Sequence, residues 1–114
     1  MCIRDRLNTL RKEDGPLLID SIGGFVMKSI YKEQNEWSTE INSLISLLIK
    51  RKSITIIVGE QVGWSLVSEY KIGNTYIERI GELQKRITKI SKDNWLAING
   101  RAIKIDDLSI EIPT

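Results

Sequence analysis

Leu17-Leu18-Ile19-Asp20-Ser21-Ile22-Gly23-Gly24-Phe25-Val26 (LLIDSIGGFV, residues 17–26) is the stretch on which the fold turns. The apolar-to-acidic run LLID follows the break at Gly15-Pro16 and predicts a short strand. Gly23-Gly24 behind it predicts a sharp entry into a helix from Ile22 to about Tyr31. Two more apolar runs share this character: ITIIV (54–58), rich in β-branched residues, and WLAI (95–98). None of these runs alternates apolar with polar. Each therefore predicts a strand buried on both faces, as in a parallel sheet with helices on either side.

Between the strands the period changes. Trp37, Ile41, Leu44, Ile45 and Leu48 fall on one helical face and predict a helix from about Glu36 to Arg51, with Asn35 as its N-cap. Tyr76, Ile80, Leu83, Ile87 and Ile90 line a second helix, for which Thr75-x-x-Glu78 reads as a capping box. Its other face carries Arg79, Glu82, Lys85, Arg86 and Lys89, with Glu82 placed to pair with Arg86 one turn on. Gly81, inside this helix, predicts close packing of helix on sheet. AIKI (102–105) predicts a final short strand. The order of elements is that of an α/β protein with a mostly parallel sheet and right-handed crossovers. Residues 1–14 read as an exposed lead-in whose opening MCIRDR looks foreign to the rest. Residues 15–114 read as the C-terminal part of a single, larger α/β domain, because the strands are few and the first lies close to the start.

Composition removes whole classes of function. The chain has 114 residues, 41% hydrophobic and 28% charged, which excludes simple disorder. A net charge of +2 is too small to argue for a polyanion. The basic sets Lys50-Arg51-Lys52 and Lys85, Arg86, Lys89 and Lys92 read better as solvated helix faces than as a nucleic-acid surface. SLISLLI (43–49), the longest apolar candidate, is far too short to span a membrane. No apolar leader opens the chain, so a cytoplasmic protein is expected. One cysteine, Cys2, and no histidine argue against a zinc site and against any mechanism that uses an imidazole.

In an open parallel sheet, ligands bind beyond the carboxyl ends of the strands. That rule selects three clusters: Asp20-Ser21 with Gly23-Gly24, Gly59-Glu60-Gln61 with Gly63-Trp64, and Asn99-Gly100-Arg101. LLID has the shape of a Walker-B strand, whose terminal acid holds magnesium beside nucleotide phosphates, but Asp20 also suits a helix cap. In VGEQVGWS (58–65), Gly59 and Gly63 would let backbone approach a ligand and Glu60 would accept hydrogen bonds from a base or hydroxyl. Trp64 would supply a stacking face, and a structured turn around a half-buried tryptophan is the plainer alternative. No GxxxxGK[ST] phosphate loop occurs in the chain.

Taken together, LLIDSIGGFV, IIVGEQVGWSLVSEYKIGNTYIERIGELQKRI and WLAINGRAIKI resemble the bifunctional adenosylcobinamide kinase / adenosylcobinamide-phosphate guanylyltransferase family, cyanobacterial members above all. The resemblance runs from Leu17 to Ile105. It implies a RecA-like P-loop α/β fold, usually trimeric. The implied chemistry is phosphorylation of the aminopropanol hydroxyl of adenosylcobinamide with GTP or ATP, then GMP transfer from GTP to adenosylcobinamide phosphate through a guanylylated histidine. Asp20 carries over as the strand-end acid and magnesium ligand, and Glu60 and Gly63 carry over from the Glu-Val-Gly loop as nucleotide-site residues. Gln61 interrupts that loop, the family's Arg-Asp pair reads Ile77-Glu78, and Ser68 replaces its proline. The phosphate loop and the histidine, which lie upstream of the Asp20 strand in the family, have no counterpart here, so no catalytic residue is assigned and an inactive, truncated or divergent enzyme is expected. The rivals are a non-catalytic α/β module kept for oligomerisation or nucleotide binding, and a structural α/β domain unrelated to cobalamin.

Overall fold

A computed structural model describes residues 15–60 and 71–113. Strand β1 (Leu17–Asp20) leads into the short helix α1 (Ile22–Lys28) and then the long helix α2 (Gln34–Lys50). Strand β2 (Thr55–Val58) pairs with β1 in parallel, with Leu17 opposite Thr55 and Asp20 opposite Val58. Helix α3 (Lys71–Ile90) follows, then β3 (Trp95–Ile98), β4 (Arg101–Lys104) and one turn of helix, α4 (Ile105–Leu108). The lead-in 1–14 lies outside the described residues, as do Gly63, Trp64 and Ser68.

The core is where the helical periodicity placed it. Ile22, Phe25 and Val26 from α1 meet Trp37, Ile41, Leu44 and Ile45 from α2 and Ile80, Leu83 and Ile87 from α3. Leu17, Ile19 and Ile57 close the layer from the sheet. Among the described residues, only that face is covered. Leu18 is 62% exposed and Ile56 57% on the other side, which corrects the expectation of strands buried on both faces. The cause is packing: the core elements among the described residues all take the same side of the β1–β2 pair.

The third apolar run departs further. WLAI does not join the parallel sheet; it pairs antiparallel with β4, so the described strands form one parallel and one antiparallel pair rather than a mostly parallel sheet. Asn99 (φ 51°) and Gly100 (φ 72°) make the two-residue connection, and positive φ at both positions is the backbone of a type I′ hairpin turn. Turn chemistry therefore decided the topology where strand composition pointed to a crossover.

Helix boundaries moved for identifiable reasons. The amide of Trp37 bonds to the carbonyl of Glu33 at 2.9 Å, so α2 begins before Asn35. Asn35 is thus not the N-cap, and its side chain accepts from the Glu36 amide instead. Helix α3 likewise starts a turn before Thr75, whose hydroxyl donates back to the Lys71 carbonyl at 3.0 Å rather than capping. Among the described residues nothing lies within 4 Å of where a side chain at Gly81 would sit, so close packing between them does not explain that glycine. Glu82 and Arg86 are engaged elsewhere than with each other. Glu82 accepts from the Trp37 indole at 3.0 Å, and Arg86 donates to Asn42 at 2.7 Å.

Arg79 was expected on the polar face and is instead buried. Its Nη1 donates to the Ser29 carbonyl at 2.6 Å and its Nη2 to the Lys32 carbonyl at 2.7 Å. A cation there adds a second donor to the C-cap carbonyl of α1, which also accepts from the Lys32 amide, and opposes the negative end of the helix dipole. The guanidinium also lies 5.4 Å from the centre of the Trp37 ring.

Candidate functional site

Parallel pairing with Asp20 opposite Val58 brings the carboxyl ends of β1 and β2 side by side. Asp20 is exposed at the mouth of the sheet. It is not the helix cap: Ser21 holds the N-cap position of α1, without a side-chain capping bond. The Ser21 hydroxyl turns away from the helix and donates to Glu60 Oε1.

Glu60 is fixed from both sides. The side-chain amide of Gln84 on α3 donates to its backbone carbonyl, and Ser21 holds one carboxylate oxygen. The other oxygen, Oε2, is buried without a hydrogen-bond partner. Such an acceptor keeps its desolvation cost until a donor reaches it.

Two glycines make this closeness possible. A side chain at Gly23 would begin 2.7 Å from both Glu60 Oε2 and the Tyr76 hydroxyl. One at Gly59 would begin 2.7 Å from Gln84 Nε2. Gly23 was expected to serve the entry into α1, and its stricter role is to let Glu60 and Tyr76 close over the helix backbone. Burial, and then the Glu60 carboxylate beside it, raise the Tyr76 phenol above its ordinary range, so it remains a protonated donor at neutral pH.

The strand-end rule selected Asp20, Ser21 and Glu60, which the structure brings together, but passed over Tyr76 and Gln84, which lie beside Glu60. Tyr76 counted as one apolar residue of the α3 stripe. Its signal was chemical: it alone among the Ile and Leu positions there ends in a hydroxyl. The third cluster, Asn99-Gly100-Arg101, is the turn of the separate hairpin and contributes nothing to the parallel strand ends. Gly63 and Trp64 lie outside the described residues. Among the described residues, no group of three or more acidic, cysteine or histidine side chains could hold a metal by itself. Magnesium does not need one, since it commonly takes one or two carboxylates and fills its shell with water and phosphate oxygens. The exposed carboxylate of Asp20 fits that pattern. Nor is any helix among the described residues long and apolar enough to cross a membrane.

Asp20 and Glu60 stand beyond the carboxyl ends of two adjacent parallel strands backed by helices, which makes this a mixed α/β protein with acids at the sheet mouth, where open α/β sheets take their ligands. Its lineage is narrower than that. The chain belongs to the cobinamide kinase / cobinamide phosphate guanyltransferase family, which matches residues 2–105 and so takes in most of the lead-in as well. This is a kinase and nucleotidyltransferase family of cobalamin biosynthesis that uses nucleotide substrates. No curated protein matches the chain.

Proposed function

We propose that the chain carries the strand-end side of the nucleotide site of an adenosylcobinamide kinase / adenosylcobinamide-phosphate guanylyltransferase, within a RecA-like P-loop domain of the cytoplasm. Asp20 holds magnesium at the phosphates of GTP or ATP, and Glu60 and Gly63 line the same site. The metal would offset phosphate charge during transfer. The observation that carries this reading is the placement of Asp20 and Glu60 on neighbouring strand ends, joined through Ser21. The chain contains no histidine and no GxxxxGK[ST] loop, so it forms no covalent GMP intermediate by itself.

Equilibrium binding of GTP with and without magnesium tests the reading. Asp20→Asn should abolish the magnesium-dependent part of the affinity and leave thermal unfolding unchanged, because asparagine keeps the shape and removes the charge. Identical magnesium dependence in the variant would return Asp20 to a structural role.

A second reading has its own support. The uncovered apolar face at Leu18, Ile56 and Val58 suits a non-catalytic module kept for oligomerisation, in the trimer that the resemblance implies. Sedimentation of a discrete oligomer that binds no GTP would favour it.

A further inference from the structure

The two acids at the sheet mouth are presented differently. Asp20 is exposed to solvent, whereas the Glu60 carboxylate is turned toward the body of the chain. One of its oxygens, Oε1, accepts from the Ser21 hydroxyl. The other, Oε2, is out of reach of solvent and has no hydrogen-bond partner among the described residues. It stands against Gly23, where an added Cβ would begin 2.7 Å away. In this pose one oxygen is taken and the other is hidden from any ligand in front of the strands.

Such a pose is held weakly. The bond from Ser21 favours it, and the unmet acceptor opposes it by a comparable amount. An inward and an outward rotamer therefore lie close in free energy, and a ligand that gives a donor only to the outward one shifts the population toward it. The backbone takes no part in the change, because the Gln84 side chain holds the Glu60 carbonyl in place. Glu60 is only partly buried and lies outside the apolar core, so its side chain reaches solvent by rotation alone. The residues around it are shaped for the inward pose and not for the helix. Ser21 makes no capping bond to α1. Gly23 has no positive φ, and glycine within a helix is less stable than alanine, so its missing side chain answers only to the oxygens above it.

We propose that Glu60 is withdrawn from the nucleotide site in this structure, held there by Ser21 and by the bare backbone at Gly23, and that nucleotide binding turns the carboxylate outward to accept a hydrogen bond. Ser21 and Gly23 are thus positioning residues that act through Glu60 and set the affinity of the site. The inference rests on Glu60 lining the nucleotide site, as in the reading above.

Equilibrium binding of magnesium GTP to the full chain tests this. Gly23→Ala sets a methyl against Oε2 and the Tyr76 hydroxyl, both at the ends of side chains, and so expels the carboxylate from its inward pose. Ser21→Ala removes the bond that holds Oε1. Each should tighten GTP binding, by up to about tenfold, the worth of roughly one hydrogen bond. In a Glu60→Ala background the same two substitutions should change nothing, since the group they act through is gone, whereas a general effect on α1 would persist there. Thermal midpoints within a few degrees of wild type confirm the fold, and Ser21→Ala carries the test alone if Gly23→Ala unfolds the chain. A gain that vanishes without Glu60 bears out the withdrawn pose, and GTP binding seen only in the variants does so more strongly. Unchanged or weaker binding in either folded variant overturns it, as does a gain that survives Glu60→Ala. Asp20→Asn reads the nucleotide site independently. Magnesium-dependent GTP binding that responds to Asp20→Asn but not to Ser21→Ala or Gly23→Ala overturns the withdrawal and leaves the nucleotide reading standing. Absence of GTP binding from wild type and both variants overturns the nucleotide reading, and the withdrawal with it.

Discussion

Around Trp37, three helices close over one face of a parallel strand pair, and the indole is fully buried against Phe25 and the Arg79 guanidinium. Around Trp95, a hairpin and one helical turn expose most of their surface, and the indole is 59% accessible. Polar contacts hold that second region together. Asn94 donates to both carboxylate oxygens of Asp106, at 2.7 Å from its amide N–H and 2.9 Å from its side chain. It also donates from its side chain to the Thr88 carbonyl at the end of α3. Lys104 adds an ion pair with Asp93 at 3.0 Å. One region is stabilised by apolar area, the other by hydrogen bonds at the surface, where each is worth little.

The widest gap should open between the two tryptophans. Trp37→Ala is expected to cost about 3–5 kcal/mol, from the cavity and from leaving Glu82 without its indole donor. Trp95→Ala should cost less than about 1 kcal/mol, since it loses a half-exposed face and a weak lysine contact. Urea unfolding of both variants checks this. Equal losses would mean that the hairpin shares the core's cooperativity.

Arg79→Met should rank next, at about 1–3 kcal/mol. Methionine fills much of the volume yet leaves the carbonyls of Ser29 and Lys32 without their guanidinium donor. The damage should concentrate in α1, which backbone amide signals would show.

The smallest effect is a pH response confined to the hairpin. Hydrogen bonds from the Asn94 side chain and amide lower the Asp106 pKa. A depressed carboxylate contributes stability above its unfolded value, near 3.9, and loses it as the pH falls through the folded value. Acidification below about pH 4 should therefore loosen residues 94 to 108 in amide spectra before it disturbs the helices around Trp37. Simultaneous loss of both regions would dissolve the distinction between them.

Much of the body was legible because helical period and burial are the same fact seen twice: the stripes at Trp37, Ile41, Leu44 and Ile80, Leu83, Ile87 are the core. Strand runs carried less information. LLID and WLAI look alike as strings, yet a covering of helices makes one a core strand and an Asn-Gly turn makes the other half of a hairpin. Arg79 misled because a guanidinium normally seeks water, and only the carbonyls at the end of another helix reverse that preference. The acids of the candidate site were visible as strand-end residues. The tyrosine was not, because position along a helix does not reveal which of its neighbours bears an unpaired oxygen.

The reach of Arg79 also orders events in time. Helix α1 has seven residues, too few to hold together alone in water. Its closing donor stands 50 residues further along the chain, in α3. The strand-end glycine turn thus becomes helical only after a distant loop has been closed, which raises the contact order of the element that floors the candidate site. Opening of α1 and release of α3 then belong to a single cooperative step, and the site's floor persists only as long as that step has not been taken.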